Sequence, residues 1–342
     1  MESKSSNLKK AKKNKNDEFY TQLNDIENEM KYYKNYFKNK IIFCNCDDPE
    51  FSNFWQYFSL NFEHLELKKL ISTHFEKNKP SYKLEICKDI NGDGKINQLD
   101  TIKTDLKQNG DFRSSEAIEI LKEVDIVITN PPFSLFREYV AQLIEYDKKF
   151  ILIGNMNAIT YKEIFKLIKN NKLWLGVSPR SMNFKLSDNS IKGVNACWYT
   201  NLEHFKRNEK LILYKTYKGN ESYYPYYDNY DAINVNKIKD IPLDFEGIMG
   251  VPITFLDKYN PKQFEIIGLG NSRDNFIPNK DYINTKKHMK NGNIVNGGAI
   301  NMVLTINQNE KPINTTFYTA DNVNYLIAPY ARILIKNKKV KK

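Results

Sequence analysis

The stretch Asp125-Ile126-Val127-Ile128-Thr129-Asn130-Pro131-Pro132-Phe133 decides the reading of the fold. Three consecutive β-branched aliphatic residues followed by a threonine read as a short strand buried on both faces. Two prolines then stop it. Each proline fixes its own φ and removes one backbone N–H, so the turn is stiff and presents carbonyl acceptors. Asn130 adds an amide oxygen beside them, and Phe133 adds a flat apolar face. The turn falls at the carboxyl end of the strand, where open α/β sheets place their ligands.

Working outward, Ser134–Tyr146 reads as a helix and Phe150–Gly154 as another buried strand, with a helix over Thr160–Asn170. On the amino-terminal side, Ser115–Val124 reads as a helix, and Ile41–Cys44 and the end of Leu65–Thr73 as strands. Phe51, Phe54, Trp55 and Phe58 recur at helical spacing. Ile26, Met30, Tyr33 and Phe37 continue a helical pattern expected to begin at Asp17. Strands alternating with helices in this cadence predict an α/β domain around a mainly parallel sheet. Tyr82–Asn97 reads as a hairpin about Asn91-Gly92-Asp93-Gly94. Beyond about Leu202 the texture changes. Seven tyrosines crowd residues 214–230, and later strands at 266–268, 300–306 and 333–335 are short and separated by Gly, Asn and Pro. This part predicts a second, β-richer module.

The chain of 342 residues carries a net charge of +11, from 52 Lys and Arg against 41 Asp and Glu. An excess of that size suits a polyanion as partner, because basic side chains that neutralise phosphates release counterions. Codon bias toward Lys, Asn and Ile contributes to it as well. Residues 1–16, with Lys4, Lys9, Lys10, Lys12, Lys13 and Lys15, form a basic tail with almost no large apolar side chain. Such a tail is expected to be solvated. The four cysteines and four histidines are scattered; Cys44 and Cys46 are too close for an ordinary disulfide, and no cluster has metal-ligand spacing. No metal site, a reduced cytoplasmic setting and no membrane segment are therefore expected.

The chemistry that suits the Asn130 turn is methylation of an exocyclic amino group. Such a nitrogen has its lone pair delocalised into the base ring. Two acceptors that grip both N–H protons help turn the lone pair toward an incoming methyl, while an aromatic face holds the base. Taking a base out of a duplex costs about a few kcal/mol, which stacking worth ~1–3 kcal/mol and hydrogen bonds offset.

At this point the sequence resembles a known family. Asn130-Pro131-Pro132-Phe133 matches the Asn/Asp-Pro-Pro-Tyr/Phe signature of amino-methyltransferases. The run Thr129–Tyr139 is similar to that of EcoRI-type adenine-specific DNA methyltransferases, as are Asp17–Thr21, Cys44–Pro49, Gly110–Ser114 and Gly250–Pro261. The resemblance implies a Rossmann-like S-adenosylmethionine-dependent methyltransferase sheet over residues 17–202 and a β-rich target-recognition module over 203–342. It implies Asn130, Pro131, Pro132 and Phe133 as the catalytic turn. For the cofactor it implies Asp111 and Phe112 at the adenine, Tyr20 and Thr21 near the methionine moiety, and Asp47 and Asp48 facing the ammonium group. Double-stranded DNA is the implied partner. A cognate restriction endonuclease would be the counterpart in a restriction–modification system, with no stable complex required.

The sequence departs from the family pattern at two places. Asn45-Cys46-Asp47-Asp48-Pro49 stands where a Gly-rich loop is usual, and no acidic residue closes the second strand at Ser72-Thr73, Glu76 being the nearest. Asp47 and Asp48 also suit the cap of the helix that follows.

Asp89–Asp100 has oxygen-bearing residues at calcium-loop spacing, with Gly94 at position six, but ends in Asp rather than Glu. A glycine turn explains the same residues and is the reading taken. Arg113 and Arg137 suit either phosphate or the neighbouring Glu116 and Glu138. Trp198 suits the core or a base pocket, and the tyrosine cluster suits DNA or a packed β module. Rival functions are methylation of protein glutamine or RNA adenine and, in a different class, non-catalytic DNA binding or calcium binding.

Overall fold

The computed structural model describes residues 20–46, 48–178, 182–185, 190–271, 277–297, 301–305, 311–321 and 323–338. In chain order the first elements are β1 (Tyr20–Thr21), α1 (Leu23–Met30), α2 (Lys34–Phe37), β2 (Ile41–Cys44), α3 (Asn53–Leu60), β3 (Lys69–Thr73), β4 (Tyr82–Ile86) and β5 (Ile102–Asp105). Then come α4 (Ser115–Glu123), β6 (Ile126–Thr129), α5 (Phe136–Glu145), β7 (Lys149–Asn155) and α6 (Lys162–Lys169). The series continues with β8 (Trp174–Leu175), β9 (Met182–Lys185), β10 (Ile191–Val194) and β11 (Ala196–Thr200).

Two compact units are present: residues up to Ile159 with Lys172–His204, and Thr160–Asn171 with Phe205–Lys342. The first is built on an eight-stranded mixed sheet of order β5-β4-β3-β2-β6-β7-β11-β8. Strands β3, β2, β6 and β7 are parallel, and antiparallel strands flank them on both sides. The chain leaves β2 toward β3 and later returns on the other side of β2 as β6. The turns after β2 and β6 therefore diverge at a topological switch point, the place where such sheets hold ligands.

Side chains alternate across this sheet, as the two-residue repeat requires. On one face Ile42, Leu70, Ile126, Ile128, Ile151, Ile153 and Trp198 share a core with Ile26 and Met30 of α1 and with Phe54 and Phe58 of α3. On the other, Phe136 of α5 packs on Tyr199 of β11, ring centroids 4.9 Å apart. Asp125 closes the far end of the sheet: its Oδ2 accepts from the Ile41 N–H at 2.9 Å and Oδ1 pairs with Lys40 at 3.2 Å. The aspartate that leads β6 thus locks β2 and β6 in register.

Two local expectations are corrected. Of the helix expected from Asp17, residues 17–19 lie outside the described residues; Tyr20–Thr21 form a strand, β1, and the helix starts at Leu23, because Thr21 pairs with Phe184 of β9 in a three-stranded sheet β1-β9-β10. That partner lies more than 150 residues away, beyond any local periodicity. The hairpin after Tyr82 pairs β4 with β5 (Glu85 opposite Ile102), so its tip spans the whole of residues 87–101.

In that tip the Asp89 oxygens accept from Gly92 and Gly94 N–H at 2.7 and 2.8 Å. Asp100 accepts from Ile90 and Asn97 at 2.9 Å each. Gly92 and Gly94 both sit at φ +77°, which only glycine adopts freely. Among the described residues no group of three His, Cys, Asp or Glu is placed to hold a metal ion. Nor is any helix among them long and apolar enough to cross a membrane.

The second unit is β-rich. Its first sheet joins β12 (Tyr226–Tyr227), β13 (Tyr230–Asn234), β14 (Met249–Pro252) and β15 (Phe264–Leu269) to the last strand of the chain. The others are β16 (Lys286–His288), β17 (Ile294–Asn296), β18 (Leu304–Thr305), β19 (Phe317–Ala320), β20 (Val323–Ile327) and that last strand, β21 (Arg332–Asn337). The orders are β12-β13-β14-β21-β15 and β17-β16-β19-β20-β18. Helix α6 belongs to this unit and packs against β15. The tyrosine cluster divides: Tyr224 and Tyr227 are buried, whereas Tyr214, Tyr223 and Tyr226 are exposed. Trp198 is a core residue of the first unit.

Candidate active site

The site is assembled at the switch point from turns that three strands deliver. Strand β6 ends in Asn130 and Pro131, both buried, and Pro132 and Phe133, both half-buried. The Leu135 N–H returns to the Pro132 carbonyl at 2.9 Å, which closes the turn and starts α5. Strand β2 ends in Asn45, which is buried and joins the two turns. Its carbonyl accepts the Thr129 hydroxyl, and its Oδ1 accepts the Tyr139 hydroxyl from α5. Burial pushes the Tyr139 phenol far above its ordinary value, so it remains a neutral donor.

Next in this turn, Cys46 takes φ +72°. A left-handed residue is what a glycine would supply, and here a cysteine bears the steric cost. The missing Gly-rich loop is thus replaced in conformation, though not in residue type. Asp47 lies outside the described residues. Asp48 accepts the Tyr82 hydroxyl at 3.2 Å and the Glu50 N–H at 3.0 Å, and its Oδ2 stands 3.4 Å from Nε2 of His74.

His74 follows β3. Its Nδ1 lies 3.2 Å from the Ser81 hydroxyl and 3.9 Å from Glu76, and its ring stacks on Tyr82. At the end of β3 itself, Thr73 is buried with its hydroxyl unpartnered among the described residues. Glu76, the acid nearest this strand end, donates its N–H to the Asn109 carbonyl at 2.8 Å. Gly110, at φ +75°, lies so close that a Cβ there would collide with the His74 carbonyl oxygen. This packing sets the following pair, Asp111 and Phe112, beside the segment that follows β3.

Arg113 clasps Asp111 through Nε at 2.8 Å and a terminal nitrogen at 2.7 Å, and reaches Glu138 at 3.5 Å. The guanidinium hydrogen bond is the first cause holding the Asp111 carboxyl below its usual range. Phe112 is buried, edge-on to Tyr139 at 4.9 Å and with the Arg113 guanidinium 5.1 Å from its ring centre. Its carbonyl accepts from Gln142 of α5 at 3.1 Å.

On the α1–α3 face the small sheet supplies the remaining wall. Phe133 meets Phe184 of β9 edge-on at 6.4 Å, and Phe184 is the register partner of Thr21. The Thr21 carbonyl accepts from the Asn53 side chain at 2.6 Å. Its own hydroxyl is buried and unpartnered among the described residues. Of Tyr20 the backbone is placed, in β1.

The expected residues thus form two groups. Phe133 and Thr21 meet through Phe184, while Asn45 and Tyr139 link the Asn130 turn to Phe112. Asp48 joins the second group through His74 and the loop before Gly110. Asn45, His74, Phe184 and Tyr139 join this arrangement without belonging to the expected set. The signals for them were slight: Asn45 opens the turn after β2, and Tyr139 closes the run Thr129–Tyr139. Arg113 pairs with Asp111 and Glu138, and Arg137 is exposed on α5.

A mixed doubly wound sheet that delivers an Asn-Pro-Pro-Phe turn to its switch point defines a methyltransferase acting on amino groups. The chain belongs to the family described as adenine-specific methyltransferase EcoRI, whose model matches residues 7–338. It is 53% identical to the Type II methyltransferase M.EcoRI of Escherichia coli over 288 residues, 76% of this chain and 88% of that protein. Type II methyltransferase M.MpnI of Mycoplasma pneumoniae is 45% identical over 281 residues, covering 75% and 84% of the two chains. M.MgeORF184P of Mycoplasma genitalium is 44% identical over 279 residues, with coverage of 75% and 84%.

Proposed function

We propose that this chain methylates N6 of adenine at a defined site in double-stranded DNA, taking the methyl from S-adenosylmethionine, as the modification enzyme of a restriction–modification system in the cytoplasm. The observation that carries the reading is the Asn130-Pro131-Pro132-Phe133 turn at the switch point, tied through Asn45 to the turn after β2. The names of the relatives, Type II methyltransferases, support it. A cognate endonuclease would cut the same site without needing a stable complex.

The residues at hand suit such a cofactor. Thr21 and Thr73 keep buried hydroxyls with no protein partner among the described residues, which is the polar capacity a ligand satisfies. Asp48 and Asp111 offer carboxylates for an ammonium group and an adenine amino group, and Phe112 lies beside the latter. S-adenosylmethionine, when bound, supplies an electrophilic sulfonium methyl. The chain does the rest by positioning. Asn130 and the Pro131 carbonyl accept the N6 protons, Pro132 keeps the turn rigid, and Phe133 stacks on the flipped base. The methylated nitrogen is acidic enough to release its proton without a strong base. The second unit serves as the target-recognition module.

The test is to incubate the purified chain with methyl-labelled S-adenosylmethionine and unmethylated genomic DNA, with Asn130→Ala alongside, and to digest the DNA for mass spectrometry. Labelled N6-methyladenine is expected from the wild type, with turnover lowered about 10²–10³-fold in the variant, the cost of losing one oriented polar group in a site. Cofactor binding without label in DNA overturns the DNA reading and directs the search to RNA adenine and protein glutamine.

A further inference from the structure

The hairpin of β16 and β17 is an exposed edge in the second unit. Strand β16 is paired on both sides, with β19 within the sheet and with β17 at its margin. Every residue from Met289 to Asn296 is exposed, and so is Lys286. An exposed edge strand with apolar side chains such as Ile294 and Val295 invites pairing unless it has another partner.

Charge says which partner fits. From Tyr282 to Asn309 the sequence has no Asp or Glu, yet it carries Lys286, Lys287 and Lys290. The tip between the strands is Met289-Lys290-Asn291-Gly292-Asn293, closed by the Met289 N–H to the Asn293 carbonyl at 2.8 Å, with Gly292 at φ +85°. Within it Asn291 Oδ1 also accepts the Asn293 N–H at 3.2 Å, which leaves that oxygen's second lone pair and the side-chain amide donors to face outward. A two-stranded ribbon fits the major groove, where asparagine reads adenine with two hydrogen bonds and lysine reads guanine or holds phosphate.

We infer that the β16–β17 hairpin is the base-reading ribbon of this chain: Asn291 and Asn293 at its tip contact base edges in the major groove, and Lys286 and Lys290 hold the flanking phosphates. This rests on the DNA-methylating function proposed above. Lys287 is set apart from this role, because its ammonium lies 5.9 Å from the Tyr318 ring centre within the sheet.

Two variants of the full chain test it, Lys286→Gln/Lys290→Gln and Asn291→Ala/Asn293→Ala. Both change exposed side chains, and unchanged S-adenosylmethionine binding and thermal midpoint certify their folding. Duplex affinity is measured against salt, and methylated positions are mapped by sequencing treated genomic DNA. The lysine variant is expected to bind all duplexes more weakly, with the slope of log affinity against log salt reduced by about 0.9 for each phosphate that is no longer neutralised. The asparagine variant is expected to keep the slope and to lose about tenfold to a hundredfold of its discrimination between target and non-target sites. A wild type that methylates a defined site while both variants keep its slope and site selection overturns the inference and leaves the function standing. A wild type that binds cofactor and never labels DNA removes both.

Discussion

At the scale of single residues, the site holds charge and strain that can be read in solution. Arg113 holds the Asp111 carboxyl below its ordinary range. A carboxyl depressed in the folded state adds stability above its unfolded pKa, about 3.9, and loses it as pH falls through the folded value. Asp111→Asn should therefore be less stable than wild type near neutrality, the two converging as the medium is acidified below about pH 4. Thermal unfolding across pH measures this, and a difference that persists undiminished in acid would show that the carboxylate charge is not its source. The strain sits at Cys46, left-handed at φ +72°. Cys46→Gly should raise stability by about 0.5–1 kcal/mol, because glycine adopts that conformation without steric cost. A lowered melting midpoint would mean that the packing of the thiol outweighs the backbone.

At the scale of elements, the loop before Asp111 depends on its approach to the end of β3. Gly110→Ala drives a methyl into the His74 carbonyl oxygen at a φ of +75°. The loop must move, at about 1–3 kcal/mol. The expected result is weaker S-adenosylmethionine binding by calorimetry, with the second unit unaffected. The elements that the sequence revealed are those whose burial is written locally. Strands β2, β6 and β7 are short apolar runs, and α4 and α5 keep a helical period. Elements defined by distant partners stayed hidden. Strand β1 exists because Thr21 pairs with Phe184, and β8 because Leu175 pairs with Tyr199. Helix α6 could be read as amphipathic, but periodicity does not say which sheet its apolar face meets. The site follows the same rule. The Asn130 turn was legible because prolines constrain their neighbours, whereas His74 and Tyr139 matter through what lies beside them in space.

At the scale of the whole molecule, Asn45 has a consequence for how ligands cooperate. It sits in the turn proposed to face the cofactor, and it takes hydrogen bonds from Thr129, next to Asn130 of the proposed catalytic turn, and from Tyr139 on α5. Ordering either turn is expected to stiffen the other through these hydrogen bonds, so that the second ligand would meet a chain that has already given up part of its freedom. Linkage makes the advantage mutual: DNA must tighten cofactor binding by the factor with which the cofactor tightens DNA. Calorimetry with S-adenosylhomocysteine and a target duplex should show coupling of about fivefold or more in the wild type. Asn45→Ser should bring that factor toward one while each ligand still binds alone; full coupling in the variant would place the communication elsewhere. With such coupling, the empty chain would be expected to leave DNA sooner than the charged one, so that the supply of methyl donor would set how long each visit to the duplex lasts.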